Sequence, residues 1–262
     1  MKFEILLSCM NQDNLDIVTK SNIKTDCLVI NQCNDEKLIE KIVKEHKVRM
    51  ICTKERGLSK SRNMALRNSN ADICLISDDD ECFVDDVENI IIEAFRNSDA
   101  DIIAFELKGY EKRLSTKMIR LKKYQLLKIS SWQIALRKES LTRNNLCFDE
   151  KIGAGTWSGA SEENKLLWDA FDAGLKIYFS PIIIGELKPS SSTWFRGYTQ
   201  DYFEKRGATT RYYMGNFVSA LYNIYFLTTK YKLYKKECSF FKAVIAVIRG
   251  YISSKEKIRS ML

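Results

Sequence analysis

The sequence of 262 residues lacks several patterns that define a function at once. Its eight cysteines include no Cys-x-x-Cys pair, which argues against a structural zinc site. The chain is far longer than the small secreted domains that depend on disulfides, so reduced thiols in the cytoplasm are expected. Only two prolines and one histidine occur, and no apolar run near the C-terminus reaches the roughly 18 residues of a membrane span. The apolar N-terminal stretch is interrupted by Glu4 and is too short for a signal peptide, which favours a first strand.

Positive charge is concentrated at the C-terminus. Residues 230–262 hold seven Lys and two Arg against two Glu, a net charge of +7 out of +8 for the chain. A basic segment of this kind favours an anionic partner, and no nucleic-acid-binding motif accompanies it. Because aromatic residues lie among and just before these lysines, we expect this region either to contact a membrane surface or to pack on the rest of the protein or on a second subunit.

Alternating apolar runs and helix-favouring segments predict an α/β domain with a mostly parallel central sheet flanked by helices. This domain is expected to cover residues 1–199, and residues 200–262 to form a C-terminal helical appendage. Residues 35–46 carry apolar side chains at the i, i+3, i+4 spacing of a helix. Ligands of such sheets bind at the carboxyl ends of the strands. Strands are predicted at residues 3–9, 26–33, 48–53, 72–77, 101–107 and 176–187.

An acidic run, Asp78, Asp79, Asp80 and Glu81, directly follows the predicted strand at residues 72–77. Carboxylate oxygens suit Mg²⁺ or Mn²⁺, and Asp78 and Asp80 point to the same side if the strand continues. The alternative is a solvated, acidic start of the next helix, where the helix dipole favours Asp. Glu81 is expected to contribute little more than the following turn.

A second polar segment lies at a predicted helix start in the stretch RGLSKSRNMAL. Gly57 opens this helix, and Ser59 or Ser61 is expected to cap it. A helix N-terminus together with Arg62 and Asn63 favours a bound phosphate. An ordinary capped helix with a surface arginine is the alternative.

A third segment places Glu162 and Glu163 after a glycine-containing loop, again at a predicted helix start. One carboxylate of such a pair can serve as a general base. Acidic residues in a first helical turn are also favoured by the helix dipole, so simple capping is the alternative.

In their order and spacing these segments resemble the family 2 glycosyltransferases of the GT-A fold, over residues 3–198. RGLSKSRNMAL is similar to the family's Gly-x-Ser-x-x-Arg-Asn helix, and ISDDDE to its DxD element. FDEKIGAG…SEEN resembles the acceptor-side segment that ends in Glu-Asp. LLSCMNQ takes the place of the first strand and its loop, and LVINQCND that of the strand whose end holds the nucleotide base. The chain looks like the members that build bacterial surface polysaccharides such as capsules.

The resemblance implies a role for each segment. Asp80 would bind Mn²⁺ or Mg²⁺ on the donor diphosphate, with Asp78 at the ribose or the metal. Glu163, or its neighbour Glu162, takes the place of the base that activates the acceptor hydroxyl. The implied nucleotide-sugar-binding residues are Ser8, Met10, Asn31, Asn34, Gly57, Ser61, Arg62, Asn63, Asp78 and Asp79, and the implied acceptor-side residues are Gly155 and Trp157.

The implied function is inverting, metal-dependent transfer of a sugar from a nucleotide-diphosphate donor, with UDP-sugars favoured, to a glycan or lipid-linked acceptor. The implied location is the inner face of the cell membrane, and nucleic acid is not an expected partner. Some relatives carry a metal-binding histidine after the last strand, where this chain has Lys188 and Pro189. Two alternatives remain. One is a non-catalytic membrane-docking or assembly module, and the other is a sugar nucleotidyltransferase, whose Gly-rich, Arg-containing loop is missing from SCMNQDN.

Overall fold

The computed structural model describes residues 1–109, 114–188, 195 and 197–259, with side chains up to residue 254. In this part of the chain, ten strands form one sheet and eight α-helices accompany it. The strands are β1 (Phe3–Met10), β2 (Cys27–Gln32), β3 (Lys37–Val43), β4 (His46–Thr53), β5 (Ile73–Ser77), β6 (Glu81–Phe83), β7 (Ile102–Lys108), β8 (Ile119–Arg120), β9 (Ile134–Arg137) and β10 (Ile177–Leu187). The helices are α1 (Asp16–Lys20), α2 (Leu58–Asn68), α3 (Val87–Arg96), α4 (Lys138–Arg143), α5 (Glu162–Asp172), α6 (Gln200–Thr229), α7 (Tyr231–Tyr234) and α8 (Phe240–Arg259).

The sheet is mostly parallel, as predicted. Its strand order is β3-β4-β2-β1-β5-β9-β7-β10-β6, with β8 paired to β10. Strands β4, β2, β1 and β5 are parallel neighbours, and β10 is parallel to β7. Strand β9 lies antiparallel between β5 and β7, so these two run in the same direction. The carboxyl ends of the parallel strands therefore meet at one edge, where ligands of α/β sheets bind.

Each central strand is buried on both faces. Ile5 and Leu7 of β1 pack in a core with α3, and Leu6 packs in a second core with α2 and α5. Parallel strands buried on both sides have continuous apolar sequences, which explains why the first strand is recognisable as FEILLSC. Replacing a fully buried leucine of this kind by alanine costs about 2–5 kcal/mol of unfolding free energy.

The helix predicted at residues 35–46 is wrong, because this segment forms β3 and the turn that leads into β4. The two strands are antiparallel, and Lys44 and Glu45 between them have φ angles of 48° and 74°. Positive φ at both residues matches the two-residue turns that suit the twist of a hairpin. Leu38 and Ile42 lie on the outer face of this edge strand, 62% and 71% exposed.

The chain divides into two compact units. Residues Met1–Phe148 and Leu166–Ser190 form the first, and Asp149–Lys165 and Ser191–Leu262 form the second. The helical C-terminal region is confirmed, whereas a domain boundary at residue 199 stays a prediction. No helix in the described part of the chain combines the length and the apolar character that crossing a bilayer requires.

In the second unit, α6 and α8 pack against each other at very close range. A Cβ atom added at Gly207 would collide with the backbone oxygen of Val247, and one at Gly250 with that of Glu204. Only glycine allows the two backbones to come this near. Helix α6 is broken at Gly215, whose φ of 74° and ψ of −175° are not helical.

Candidate active site

The carboxylate of Asp78, directly after β5, is held by a buried arginine. Arg62 Nη2 donates to both carboxylate oxygens at 2.8 and 3.0 Å, and Ser131 Oγ donates to Oδ2 at 3.3 Å. The Arg62 side chain is 1% exposed and that of Asp78 25%. The guanidinium also lies 5.4 Å from the centre of the Phe148 ring. A charge this buried needs a partner, so this ion pair sets the orientation of both side chains.

Asp79 and Asp80 continue the acidic run. Asp79 keeps contact with solvent, and its pKa is raised first by desolvation from the surrounding protein and then by repulsion from Asp78 and Asp80. The backbone oxygen of Asp80 accepts a hydrogen bond of 2.8 Å from Lys188 N, just after β10. The Lys188 charge favours ionised Asp79, although more weakly than the opposing effects. Pro189 lies outside the described residues.

Glu81 differs from the turn residue that the sequence suggests. It begins β6, its side chain is 0% exposed, and Oε1 accepts a hydrogen bond of 3.1 Å from the backbone N–H of Asp78. Burial is the main reason why its pKa lies well above the usual range, and the charge of Asp78 adds to it. Glu81 thus supports the backbone of the DxD segment from inside the fold.

The ends of β1 and β2 bring further predicted residues to the same edge. Ser61 Oγ donates to Ser8 Oγ at 2.8 Å, and both side chains are buried. The amide of Asn31 is 0% exposed; it donates to the backbone oxygen of Gln12 at 2.7 Å and accepts from the backbone N–H at 3.0 Å. Asn31 therefore fixes the loop after β1, while Met10 at the end of that strand is 50% exposed.

Gln32 is a residue of this edge that the sequence reasoning missed. Its Oε1 accepts a hydrogen bond of 2.7 Å from Gly57 N, at the start of α2. Gly57 itself is the N-terminal cap of this helix, with φ of 122°, so the expected cap at Ser59 or Ser61 is wrong. Nearby, Asn34 Oδ1 accepts a hydrogen bond of 3.0 Å from Arg56 Nη2. The signal for Gln32 lies in NQCND, where the resemblance indicates Asn31 and Asn34 instead.

The side chain of Asn63 is engaged in the interior of the first unit. Its Nδ2 donates to the backbone oxygen of Phe148 at 2.8 Å, and its Oδ1 accepts from the N–H of the same residue at 2.9 Å. Asn63 is 3% exposed. The amide thus pairs with Phe148 as a second backbone would, and a contact of Asn63 with the nucleotide stays a prediction.

Residues 149–165 form the candidate acceptor segment, which belongs to the second unit. The chain turns sharply here, because Gly153, Gly155 and Ser161 have φ angles of 113°, 88° and 81°. Glu162 and Glu163 begin α5 as expected; Glu162 is 4% exposed and Glu163 is half-buried. Gly155 is exposed and Trp157 half-buried.

Apart from Asn63, whose side chain pairs with Phe148, the predicted donor-side residues lie at the carboxyl edge of β1, β2 and β5, within the first unit. The candidate base pair and the acceptor-side residues belong to the second unit. Among the described residues, no group of three or more His, Cys, Asp or Glu side chains is arranged to hold a metal ion without help from a substrate. Ser131 lies 53 residues from Asp78 in sequence, and no local pattern indicates it.

A mostly parallel sheet with an arginine-bound acidic run at its carboxyl edge has charged side chains where ligands of α/β sheets bind. The family model "Glycosyl transferase family 2" matches residues 4–163, which is more than half of the chain. The chain belongs to this family of glycosyltransferases. A search of curated proteins finds no match.

Solved structures show the same fold. The S. aureus protein TarS, residues 1–349, crystallised with UDP-GlcNAc, is similar with a TM-score of 0.62 and 13% identity, covering 99% of this chain and 92% of that one. A crystal structure of the same protein with UDP gives a TM-score of 0.60 and 13% identity, covering 100% of this chain and 92% of that one. The mannosyltransferase PcManGT from Pyrobaculum calidifontis, crystallised with GDP-Man and Mn²⁺, gives a TM-score of 0.54 and 10% identity, covering 97% of this chain and 75% of that one. The GT-A fold is therefore confirmed.

Proposed function

We propose that this glycosyltransferase moves a sugar from a nucleotide-diphosphate donor to a hydroxyl of a glycan or lipid-linked acceptor, with inversion at the anomeric carbon. The observation that carries this proposal is the Arg62–Asp78 ion pair at the end of β5. It holds one carboxylate of the DxD segment in place next to Asp79 and Asp80. UDP-sugars are the favoured donors, and the UDP and UDP-GlcNAc complexes of TarS support that choice.

The residues present fit a divalent cation that the donor helps to bind. Mg²⁺ in phosphate-binding sites is held by one or two carboxylates together with substrate phosphates, so a three-residue protein cluster is not needed. Asp80 is the proposed ligand, because it takes the place of the metal-binding aspartate in the DxD element that ISDDDE resembles. The Mn²⁺ in the GDP-Man complex of PcManGT supports Mn²⁺ or Mg²⁺ as the cofactor. When bound, the cation would neutralise the leaving diphosphate.

Glu163 is the proposed base. Its carboxylate would take the proton of the acceptor hydroxyl as that oxygen attacks the anomeric carbon. The bond from the anomeric carbon to the diphosphate oxygen breaks, and its electron pair leaves with the diphosphate. Glu162 is 4% exposed, which makes it the less accessible of the two carboxylates.

Donor binding and transfer test this proposal separately. In thermal-shift assays with Mn²⁺ and UDP-, GDP- or CMP-sugars, we expect one donor to stabilise the protein and Asp80→Ala to abolish that shift. Glu163→Gln should keep the shift while transfer falls by about 10²–10⁴-fold, the usual contribution of a general base. Glu139→Gln, an exposed glutamate of α4, is the matched control. A Glu162→Gln variant that is inactive while Glu163→Gln is active would refute the choice of base, and no response to any donor would favour a non-catalytic module.

For the acceptor, we propose a lipid-linked oligosaccharide of surface-polysaccharide synthesis, reached at the cytoplasmic face of the membrane. Helix α8 presents a stripe of four apolar side chains at helical spacing to the outside, each more than half exposed. Lys242 and Arg249 lie beside this stripe. Anionic lipids attract such residues by about 1 kcal/mol each, whereas lysine is depleted from protein interfaces. The stripe consists of Phe241, Ile245, Ile248 and Ile252.

Vesicle sedimentation tests this docking surface. We expect the protein to sediment with vesicles that contain anionic phosphatidylglycerol and much less with pure phosphatidylcholine. Ile248→Glu should weaken sedimentation, while Leu38→Glu, on an exposed leucine of β3, should not. The alternative outcome is that the wild-type protein binds neither vesicle but self-associates, and that Ile248→Glu dissociates it. This would show that a second subunit covers the stripe.

A further inference from the structure

One side chain of α6, Tyr212, contacts the candidate acceptor segment at its beginning, its middle and its end. The phenol hydroxyl donates to Asp149 Oδ2 at 2.6 Å. The ring meets the ring of Trp157 edge to face, with centres 6.4 Å apart and planes at 89°. The ammonium group of Lys165 lies 6.0 Å from the centre of the same ring. All four residues belong to the second unit.

The contact with Asp149 joins Tyr212 to the backbone of the segment. The other carboxylate oxygen of Asp149, Oδ1, accepts a hydrogen bond of 3.0 Å from the backbone N–H of Lys151. A hydrogen bond to an ionised carboxylate is among the stronger ones in proteins. The carboxylate therefore connects the start of the segment to α6.

Contacts from outside add to the segment's own local hydrogen bonds. It contains no strand or helix before Glu162, and its glycines adopt positive φ angles. Inside it, Gly153 N donates to Ser158 Oγ at 2.8 Å, Thr156 Oγ1 donates to the Gly153 oxygen at 2.7 Å, and Ser158 Oγ donates to the Ala160 oxygen at 3.2 Å, so these bonds close local turns. Loops that are held only by local turns open at low free-energy cost unless neighbouring elements hold them.

The next residue of α6 extends this support to the candidate base. Tyr213 is buried, and its pKa is raised by burial first and, more weakly, by the nearby charge of Glu163. Two consecutive residues of one helix therefore lie near different parts of the segment. Tyr212 contacts Asp149 and Trp157, and Tyr213 lies near Glu163.

We propose that Tyr212 is a positioning residue for sugar transfer, which holds residues 149–165 in the shape that presents Trp157 and Glu163 to the acceptor. This inference rests on the proposed function. A base displaced by about 1 Å loses on the order of 10²-fold in rate, so the geometry of this segment bears directly on turnover. Donor binding, which uses residues of the first unit, should not depend on Tyr212.

Tyr212→Phe and Asp149→Ala test the proposal, and Tyr178→Phe is the matched control. Tyr178 also donates to an aspartate, Asp99, at 2.9 Å, but at the amino end of the parallel strands. We expect Tyr212→Phe to lower kcat for transfer about tenfold with the KM for donor within twofold. Asp149→Ala should lower kcat at least as much, because it also removes the bond from Lys151 N, and the double variant should be no worse than Asp149→Ala alone, because both changes remove the same Tyr212–Asp149 bond.

Hydrogen exchange measured by mass spectrometry provides a readout that does not need activity. Peptides within residues 149–165 should exchange faster in Tyr212→Phe, with the sheet unchanged. Wild-type kcat and exchange in this variant, or faster exchange throughout the protein, would overturn the proposal. If the wild-type protein transfers no sugar from any donor, the proposed function fails, and the exchange comparison alone then decides whether Tyr212 holds the segment.

Discussion

Removing Asp78 should destabilise the protein more than removing Arg62, although both changes break the same ion pair. In Asp78→Ala the guanidinium, 1% exposed, stays inside the fold without its carboxylate. In Arg62→Met the carboxylate that remains is 25% exposed, so water can solvate it, and the methionine fills much of the arginine volume.

The magnitude follows from this difference in exposure. Leaving one buried charge uncompensated costs about 3–5 kcal/mol. Leaving a partly exposed carboxylate costs about 1–3 kcal/mol, the desolvation penalty of an unsatisfied polar group. For a chain of this length, each kcal/mol corresponds to about 2–4 °C in Tm. We therefore expect Asp78→Ala to lower Tm by about 10 °C and Arg62→Met by about half as much.

Urea unfolding at neutral pH, followed by circular dichroism, measures both variants. The double variant Asp78→Ala, Arg62→Met should be more stable than Asp78→Ala alone, because it no longer buries a guanidinium that has lost the Asp78 carboxylate. An exposed ion pair of another element, Arg143–Glu139 in α4, is the control, and Arg143→Met should change stability by less than 1 kcal/mol, as surface pairs do. An Arg62→Met variant as unstable as Asp78→Ala, or an unrescued double variant, would refute the reasoning.

Three further predictions address other parts of the molecule. Asn31→Ala should raise the dissociation constant for the donor several-fold while the fold is retained, because the loop after β1 loses both of its hydrogen bonds to the Asn31 amide. Isothermal titration with the donor measures this. Gly250→Ala should reduce Tm by several degrees, because its Cβ would collide with the backbone oxygen of Glu204. Calorimetry should then show a separate unfolding transition at lower temperature. An unchanged melting curve would contradict the close approach of α6 and α8. Burial raises the pKa of the Cys9 thiol to about 12, so Cys9 should stay protonated and unreactive at pH 8. In native protein treated with iodoacetamide at this pH, the exposed Cys147 should be alkylated first. Equal labelling of the two cysteines, measured by mass spectrometry, would contradict this.

The alternation of strands and helices was predictable because β1, β2 and β5 are buried on both faces and therefore appear as short apolar runs. Strand β3 was not predictable in this way, because its apolar pairs Leu38-Ile39 and Ile42-Val43 also fit the helical spacing of three and four residues. The deciding feature is the turn at Lys44 and Glu45, where positive φ is adopted by residues that do not usually favour it.

The candidate site was predictable only where it is local in sequence. The acidic run follows β5 directly, so strand and carboxylates could be inferred together. Ser131 and Tyr212 were missed because each reaches its partner, Asp78 or Asp149, across more than 50 residues of chain. Glu81 was misjudged for another reason: its burial depends on pairing of β6 with β10, which no single segment reveals.

The pairing of Asn63 with Phe148 has a consequence for which substitutions the chain can accept. Successive residues of a helix point about 100° apart, so Arg62 faces the acidic edge while Asn63 faces the interior. Aspartate at position 63 would set a lone pair against the Phe148 carbonyl, and glutamine would overreach by one methylene, so a saturation library should retain asparagine almost alone. The two adjacent letters R and N thus encode separate requirements, one electrostatic and one geometric, and exchanging their order would violate both.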